Sequence, residues 1–170
     1  GYNMAASGTE QPAYSAGVLT FVSADSNNLQ TTGQVSLSGD FTLGIVFNPS
    51  ISAPGTILGD NTTSNEFIKY TSTTNFRIKM DGTIANIPLD SGTFGDDYIV
   101  VTRVSNVLTL WKNGVAQSTT PTLAGTADID AIGVRSSDQD FLDGTIKEIQ
   151  IYNSSSAGLT ANVNDRLATL

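Results

Sequence analysis

Carboxylates dominate the side chains that could do chemistry in this sequence. "ADIDA" holds Asp128 and Asp130 two positions apart, so on a strand both lie on one face. Paired carboxylates are the acid and nucleophile of glycoside hydrolysis, about 5 Å apart in retaining enzymes. A second grouping, "FLDGTIKEIQIYNSS" from Phe141 to Ser155, strings Asp143, Lys147 and Glu148 along one stretch. Three segments are rich in oxygen ligands: "GDNTTSNE" with Asp60, Asn61, Asn65 and Glu66, "SSDQDFLDG" with Asp138, Asp140 and Asp143, and "SADSNN" with Asp25, Asn27 and Asn28. Calcium takes several carboxylate, amide and carbonyl oxygens from loops of this kind, which makes it the candidate ion, and none of the three keeps EF-hand spacing. Trp111 and Tyr70 are aromatic candidates for stacking on the C–H face of a sugar, with carboxylates and amides free to take its hydroxyls.

The composition narrows these options. The chain has neither histidine nor cysteine, which removes the usual base near neutral pH, imidazole and thiolate metal sites, cysteine nucleophiles and disulfides. A net charge of -8 and a pI near 4.1 repel phosphate backbones and anionic lipid, which argues against nucleic acid as a partner. No apolar run approaches the roughly 18–20 residues of a membrane-spanning helix, and the opening "GYNMAASGTEQPAYSAG" lacks the basic-then-apolar order of a signal peptide. Only 14% of residues are charged, and Gly, Ser, Thr and Asn are abundant, as in all-β surface modules. A length of 170 residues suits one domain with its own core. The expected organisation is a loose segment over 1–16 and a single domain over 17–170.

Short strands with turn signals between them must position the candidate groups. "FTLGIVFN" alternates cleanly, with Phe41, Leu43, Ile45 and Phe47 on one face and Thr42, Gly44, Val46 and Asn48 on the other, the pattern of a strand with one buried side. "GVLTFVS" reads as an earlier strand with Leu19 and Phe21 inward, and "TILGD" as a brief one. "EFIKY" and "FRIKM" form a hairpin that points Phe76, Ile78 and Met80 inward. Asp81-Gly82, Ser105-Asn106 and Asn113-Gly114 are tight-turn signals, because such residues tolerate positive φ. "AIGVRSS" reads as a strand that follows the Asp128–Asp130 pair, which is left as a solvated entrance. In "TIKEIQIY" strict alternation breaks at Lys147-Glu148, where a β-bulge would return Ile146, Ile149 and Ile151 to a single buried face. "GLTANVNDRLATL" predicts a short helix capped by Thr160, with Leu159, Val163 and Leu167 recurring every four residues.

Three of these stretches, in order, carry a family resemblance: "FTLGIVF", "DDYIVVTRVSNVLTLWKNGVAQST", and "FLDGTIKEIQIYNSS" followed by "LTANVNDRLATL". From Val18 to Leu170 the chain resembles the laminin G-like branch of the concanavalin A-like lectin/glucanase superfamily. The resemblance implies a two-sheet antiparallel jelly roll and a role in binding glycans or proteins outside the cell or on virus particles, in some relatives through calcium. It also implies where the chain departs from its relatives. Glucanases of that superfamily carry an alternating Glu-x-Asp-x-Glu motif, whereas Ala131 and Ile132 follow Asp130 and the only glutamates are Glu10, Glu66 and Glu148. No enzyme activity is therefore expected. Lys147 stands where relatives have an acid, which weakens a cation site there. Trp111 replaces a tyrosine that packs into the sheet of relatives, so a structural role is expected for it. The triplets beginning at Asn61 and Asn153 fit the glycosylation pattern, which arises by chance in a Ser/Thr-rich chain.

The expectation is thus an all-β, two-sheet antiparallel β-sandwich with a short C-terminal helix, working as a non-catalytic extracellular or virion-surface module. Carbohydrate recognition falls to the loop rim through Asp60, Asn61, Tyr70, Asp138 and Asp140, with calcium as the candidate ion. The alternative is a structural particle-surface or fibre domain, for example of a bacteriophage, that packs against partner subunits or forms a homo-oligomer.

Overall fold

A computed structural model describes residues 4–6, 8–50, 54–136 and 139–170. Strands β1 (Ala13–Ser15), β2 (Val18–Phe21), β3 (Leu29–Leu37), β4 (Phe41–Pro49), β5 (Gly55–Gly59), β6 (Phe67–Ser72) and β7 (Asn75–Met80) come first. They are followed by β8 (Thr83–Pro88), β9 (Asp97–Val104), β10 (Val107–Lys112), β11 (Val115–Ala116), β12 (Ala127–Ile132), β13 (Gly144–Tyr152) and the helix α1 (Ala157–Leu167). They build a seven-stranded sheet in the order β1-β2-β13-β4-β9-β10-β11 and a six-stranded sheet in the order β3-β12-β5-β6-β7-β8. Every strand pair is antiparallel, so the expected β-sandwich is the fold of the chain.

The core lies between the sheets and follows the alternation of the sequence. Phe41, Leu43, Ile45 and Phe47 of β4 face Ile68 and Tyr70 of β6 and Phe76, Ile78 and Met80 of β7 in one buried cluster. Phe47 packs its ring against Tyr70 at 6.4 Å and against Phe94 at 5.8 Å. Each such side chain contributes roughly 1.5–3 kcal/mol on burial. The turn residues Asp81, Ser105, Asn106 and Asn113 all take positive φ, as the primed hairpin turns require.

Four expectations change. The strand beside the carboxylate pair is "ADIDAI" itself, and the chain leaves it as a loop from Gly133. Asp130 is consequently buried rather than solvated. The other face of β4 is also covered: Thr42 and Val46 are buried, because α1 lies across it. The cap of α1 is Ser156, whose hydroxyl accepts from the Leu159 N–H at 3.1 Å. Thr160 sits one turn further on and donates to the Ser156 carbonyl instead. Finally, part of the segment before Gly17, expected to be loose, is the edge strand β1, paired with β2.

The bulge in β13 is present. Ile146 pairs with Phe47 and Glu148 with Val46, which leaves Lys147 as the extra residue. All three isoleucines turn to the core, yet only Ile146 is fully buried while Ile149 and Ile151 stay half-buried. β2 pairs with β13 only as far as Ile146, so beyond that point β13 has a neighbour on one side only.

Candidate functional site: the loop rim and outer face of the six-stranded sheet

Two oxygen-rich loops meet on the outer side of the six-stranded sheet. The chain leaves β12 at Gly133, whose N–H bonds the Ile57 carbonyl at 3.1 Å, and folds back over β5. The Ser136 N–H then reaches the Asp60 carbonyl at 2.7 Å, and the Thr56 N–H reaches the Asp140 carbonyl at 2.9 Å. Gly59 permits this approach, since a Cβ there would fall on the Val134 carbonyl and 2.9 Å from the Arg135 Cβ. Asp60, Asn61 and Asp140 therefore lie on two adjoining loops. Asp138 lies outside the described residues.

The acidic half of the region is tightly wired. Asp60 is 3% exposed. Its Oδ1 accepts from the Thr62 N–H and hydroxyl at 2.6 Å each and from the Thr63 N–H at 3.3 Å. Its Oδ2 accepts from Gln34 at 3.5 Å and from the Thr63 hydroxyl at 3.4 Å. Burial pushes the Asp60 carboxyl up, but the bonds from Thr62 and Thr63 outweigh it and hold the group below its ordinary value. Glu66 moves the other way. Burial raises it, and the carboxylates of Asp60 and Asp128 add to the rise. Asp130, which accepts from the Asn61 N–H at 2.8 Å, is raised by burial and by the Asp60 charge. Asp128 accepts from the Ser36 hydroxyl.

The adjoining half is cationic. Lys69, Arg77, Lys79 and Arg135 make up half of the chain's 8 lysines and arginines. Asp140 bonds Lys69 and, at 2.8 Å, Arg135. Burial would raise the Asp140 carboxyl, but these two cations hold it low. Beneath them Phe67 lies outside the core cluster, with Lys69 Nζ 5.0 Å, Lys79 Nζ 5.8 Å and the Arg135 guanidinium 5.1 Å from its ring centre. The alternation of "EFIKY" puts Phe67 and Lys69 on one face, so half of this arrangement was readable. Arg135 and Asp140 arrive on a loop, and no local pattern announces that.

The remaining candidates take structural places. Tyr70 is 1% exposed, so it offers no ring face to a sugar. Burial pushes its hydroxyl up to about 12. The strand period that points Ile68 inward points Tyr70 inward too. Asn27 accepts from the Val22 N–H, and the Asn28 side chain bonds Ser26 and Gln30. Asp143, Lys147 and Glu148 do not form one site: they bond Ser23, Asp96 and Arg166 respectively. Among the described residues no group of three or more carboxylates converges to hold a metal ion.

This architecture is a concanavalin A-like jelly roll, the fold that the resemblance in sequence implied. Among solved structures the chain is similar to the heptameric SAP-like pentraxin of Limulus polyphemus, with a TM-score of 0.62 and 11% identity over 84% of this chain and 74% of that one. It is also similar to domain 4 of AbnA, a GH43 extracellular arabinanase from Geobacillus stearothermophilus, solved in complex with arabinotriose, with a TM-score of 0.55 and 16% identity over 83% and 72% of the two chains. A third is the LG4-5 pair of the mouse laminin α1 chain, with a TM-score of 0.54 and 12% identity over 84% of this chain and 44% of that one. No protein-family model matches the sequence. No curated protein matches it in sequence. The fold occurs both in a piece of an enzyme and in laminin, so by itself it assigns no activity. Among the described residues no helix is long and apolar enough to cross a membrane.

Proposed function

We infer that this domain is a non-catalytic binding module, extracellular or on a virion surface, that recognises carbohydrate at the rim where the 60–66 and 133–143 loops meet. The observation that carries the reading is that meeting, fixed by the Ser136 N–H on the Asp60 carbonyl. Asn61 carries a side-chain oxygen that is shielded and has no hydrogen-bond partner among the described residues, and Asp138 and Asp140 are proposed to take sugar hydroxyls. Asp60, with its oxygens taken by Thr62, Thr63 and Gln34, serves to shape the loop that presents Asn61. The arabinotriose bound to the arabinanase domain of the same fold lends support to the class of ligand, and calcium is the ion to test beside it.

A glycan array with and without calcium tests the reading. Selective binding that Asn61→Ala and Asp140→Ala weaken would support it. Silence across the array, together with a defined oligomer on sizing, would favour the alternative of a structural particle-surface domain packed against partner subunits. The internal saturation of Asp60 is the observation that favours that alternative.

A further inference from the structure

Five of the chain's 8 lysines and arginines sit in ion pairs: Lys69 and Arg135 with Asp140, Lys112 with Asp97, Lys147 with Asp96, and Arg166 with Glu148. Arg103 is buried and bonded to carbonyls. That leaves Arg77 and Lys79, neither of which is in an ion pair among the described residues. Both stand on β7, where Phe76, Ile78 and Met80 are buried and Arg77 and Lys79 are turned outward and half-buried. Two residues of strand set them roughly 6.6 Å apart. On β8, the last strand of the sheet, Asn86 pairs with Arg77 and Ile84 with Lys79. Both β8 residues are exposed, so two cations, an amide and an apolar side chain share one open face.

These cations are held in place and keep donors to spare. Arg77 Nε donates to Asn86 Oδ1 at 2.8 Å, which leaves the two terminal nitrogens of the guanidinium as a fork. Lys79 Nζ donates to the Ser64 carbonyl at 2.7 Å, one of the three bonds an ammonium can make. A guanidinium fork matches a carboxylate with two parallel bonds. In a chain of net charge -8 carboxylates are in excess, so a neighbouring pair of cations without one is complementary to an anion from outside. Two features choose among anions. The average field of the molecule repels a dense polyanion such as nucleic acid. An extended acidic peptide would add to the edge of β8 through backbone bonds, and Pro88 removes a donor there. A sugar ring lies across the face instead, with its C–H side on Ile84 and its hydroxyls on the Asn86 amide.

We propose that the outer face of β7 and β8 binds a carboxylate-bearing polysaccharide, a polyuronate, with one carboxylate on the Arg77 fork and another on Lys79. This surface adjoins the rim at Ser64, uses none of the residues assigned there and does not rest on that reading. Affinity electrophoresis at low salt, with polygalacturonate or alginate in the gel and neutral dextran beside them, tests it. Retardation by the polyuronates and not by dextran is expected, and it should fall as sodium chloride is raised, because salt screens exposed charges. Arg77→Gln and Lys79→Gln should each weaken binding about tenfold, the factor one charge-assisted hydrogen bond carries. Arg77→Lys should recover only part of the loss, since it restores the charge without the fork. Ile84→Glu, at an exposed position, should abolish retardation. Thermal unfolding checks that the variants fold, and Lys147→Gln, which removes a cation from the other sheet, should leave retardation unchanged. No retardation by either polyuronate would overturn the proposal, as would retardation that survives Arg77→Gln and Lys79→Gln together. Equal binding of polyglutamate or DNA would overturn it too, by showing charge alone at work. Retardation lost in Asn61→Ala and kept in Arg77→Gln would place the ligand at the rim, so either surface can fail without the other.

Discussion

The outer faces of the two sheets are finished by different means. On the seven-stranded sheet α1 covers Val46 and Val100 with Val163 and Leu167, an apolar closure held at one edge by the Glu148–Arg166 ion pair. On the six-stranded sheet a loop covers the strands, and its closure is polar: a carbonyl over Gly59, Asp140 between two cations, and carboxylates against threonines. Apolar closure tolerates small shifts of side chains, whereas backbone hydrogen bonds and ion pairs require fixed geometry. The helical side should therefore yield under perturbation and the loop side should break.

The largest expected effect tests the loop side. Gly59→Ala sets a Cβ on the Val134 carbonyl, backbone that cannot move without losing the Ser136 contact, and should cost about 3 kcal/mol or more in chemical denaturation. Its counterpart, Gly44→Ala, meets Val163 Cγ1 at 2.6 Å and Leu167 Cδ1 at 3.0 Å. Those are the ends of side chains and not backbone, so a smaller loss of roughly 1–2 kcal/mol is expected, with a red shift of Trp111 emission as α1 lifts. Equal losses from the two substitutions would erase the contrast between the faces.

Asp140→Asn should cost about 1 kcal/mol at neutral pH, since the Asp140 side chain is itself 29% exposed and an asparagine oxygen can still accept from Lys69 and Arg135. Its carboxyl is held below the ordinary value of 3.8 in the fold, so its contribution is complete above that pH and is lost as pH falls through the lowered value. Stabilities of Asp140→Asn and the natural chain should converge in acid. Glu66→Gln should do the reverse, and by the smallest amount. The Glu66 carboxyl is raised above the ordinary 4.5 by burial and by Asp60 and Asp128, so its ionisation costs stability as pH rises through that window. The substitution is expected to raise the melting temperature near neutral pH, with the gain gone below 4.5. A gain that persists in acid would mean that charge is not its cause.

Much of this molecule was legible along the chain. The period of two in β4, β6 and β7 fixes which residues enter the core, because successive side chains on a strand must point to opposite faces. The turn pairs fix the hairpins, and the break at Lys147 announces a bulge. The same rule misplaced Tyr70 only because its orientation was left open, and the "ADIDA" strand only because two aspartates looked too polar to be sheltered. Asp130 is sheltered because the Asn61 N–H meets it, a contact across 69 residues. Arg103 makes the same point: it is 1% exposed and donates to the carbonyls of Gly39 and Gly125 at 2.5 and 2.7 Å.

Alternation, turns and the helical repeat are local, so the sequence by itself determined β4 and β7 with their inward faces, the hairpin turns and the amphipathic character of α1. Which faces end up covered and which carboxylates share a loop depend on segments that meet only after folding. The chain crosses β5 after leaving β12 at Gly133, and α1 crosses β4 beside Trp111. Those crossings decided the chemistry, because burial and hydrogen bonding act through space and not along the chain.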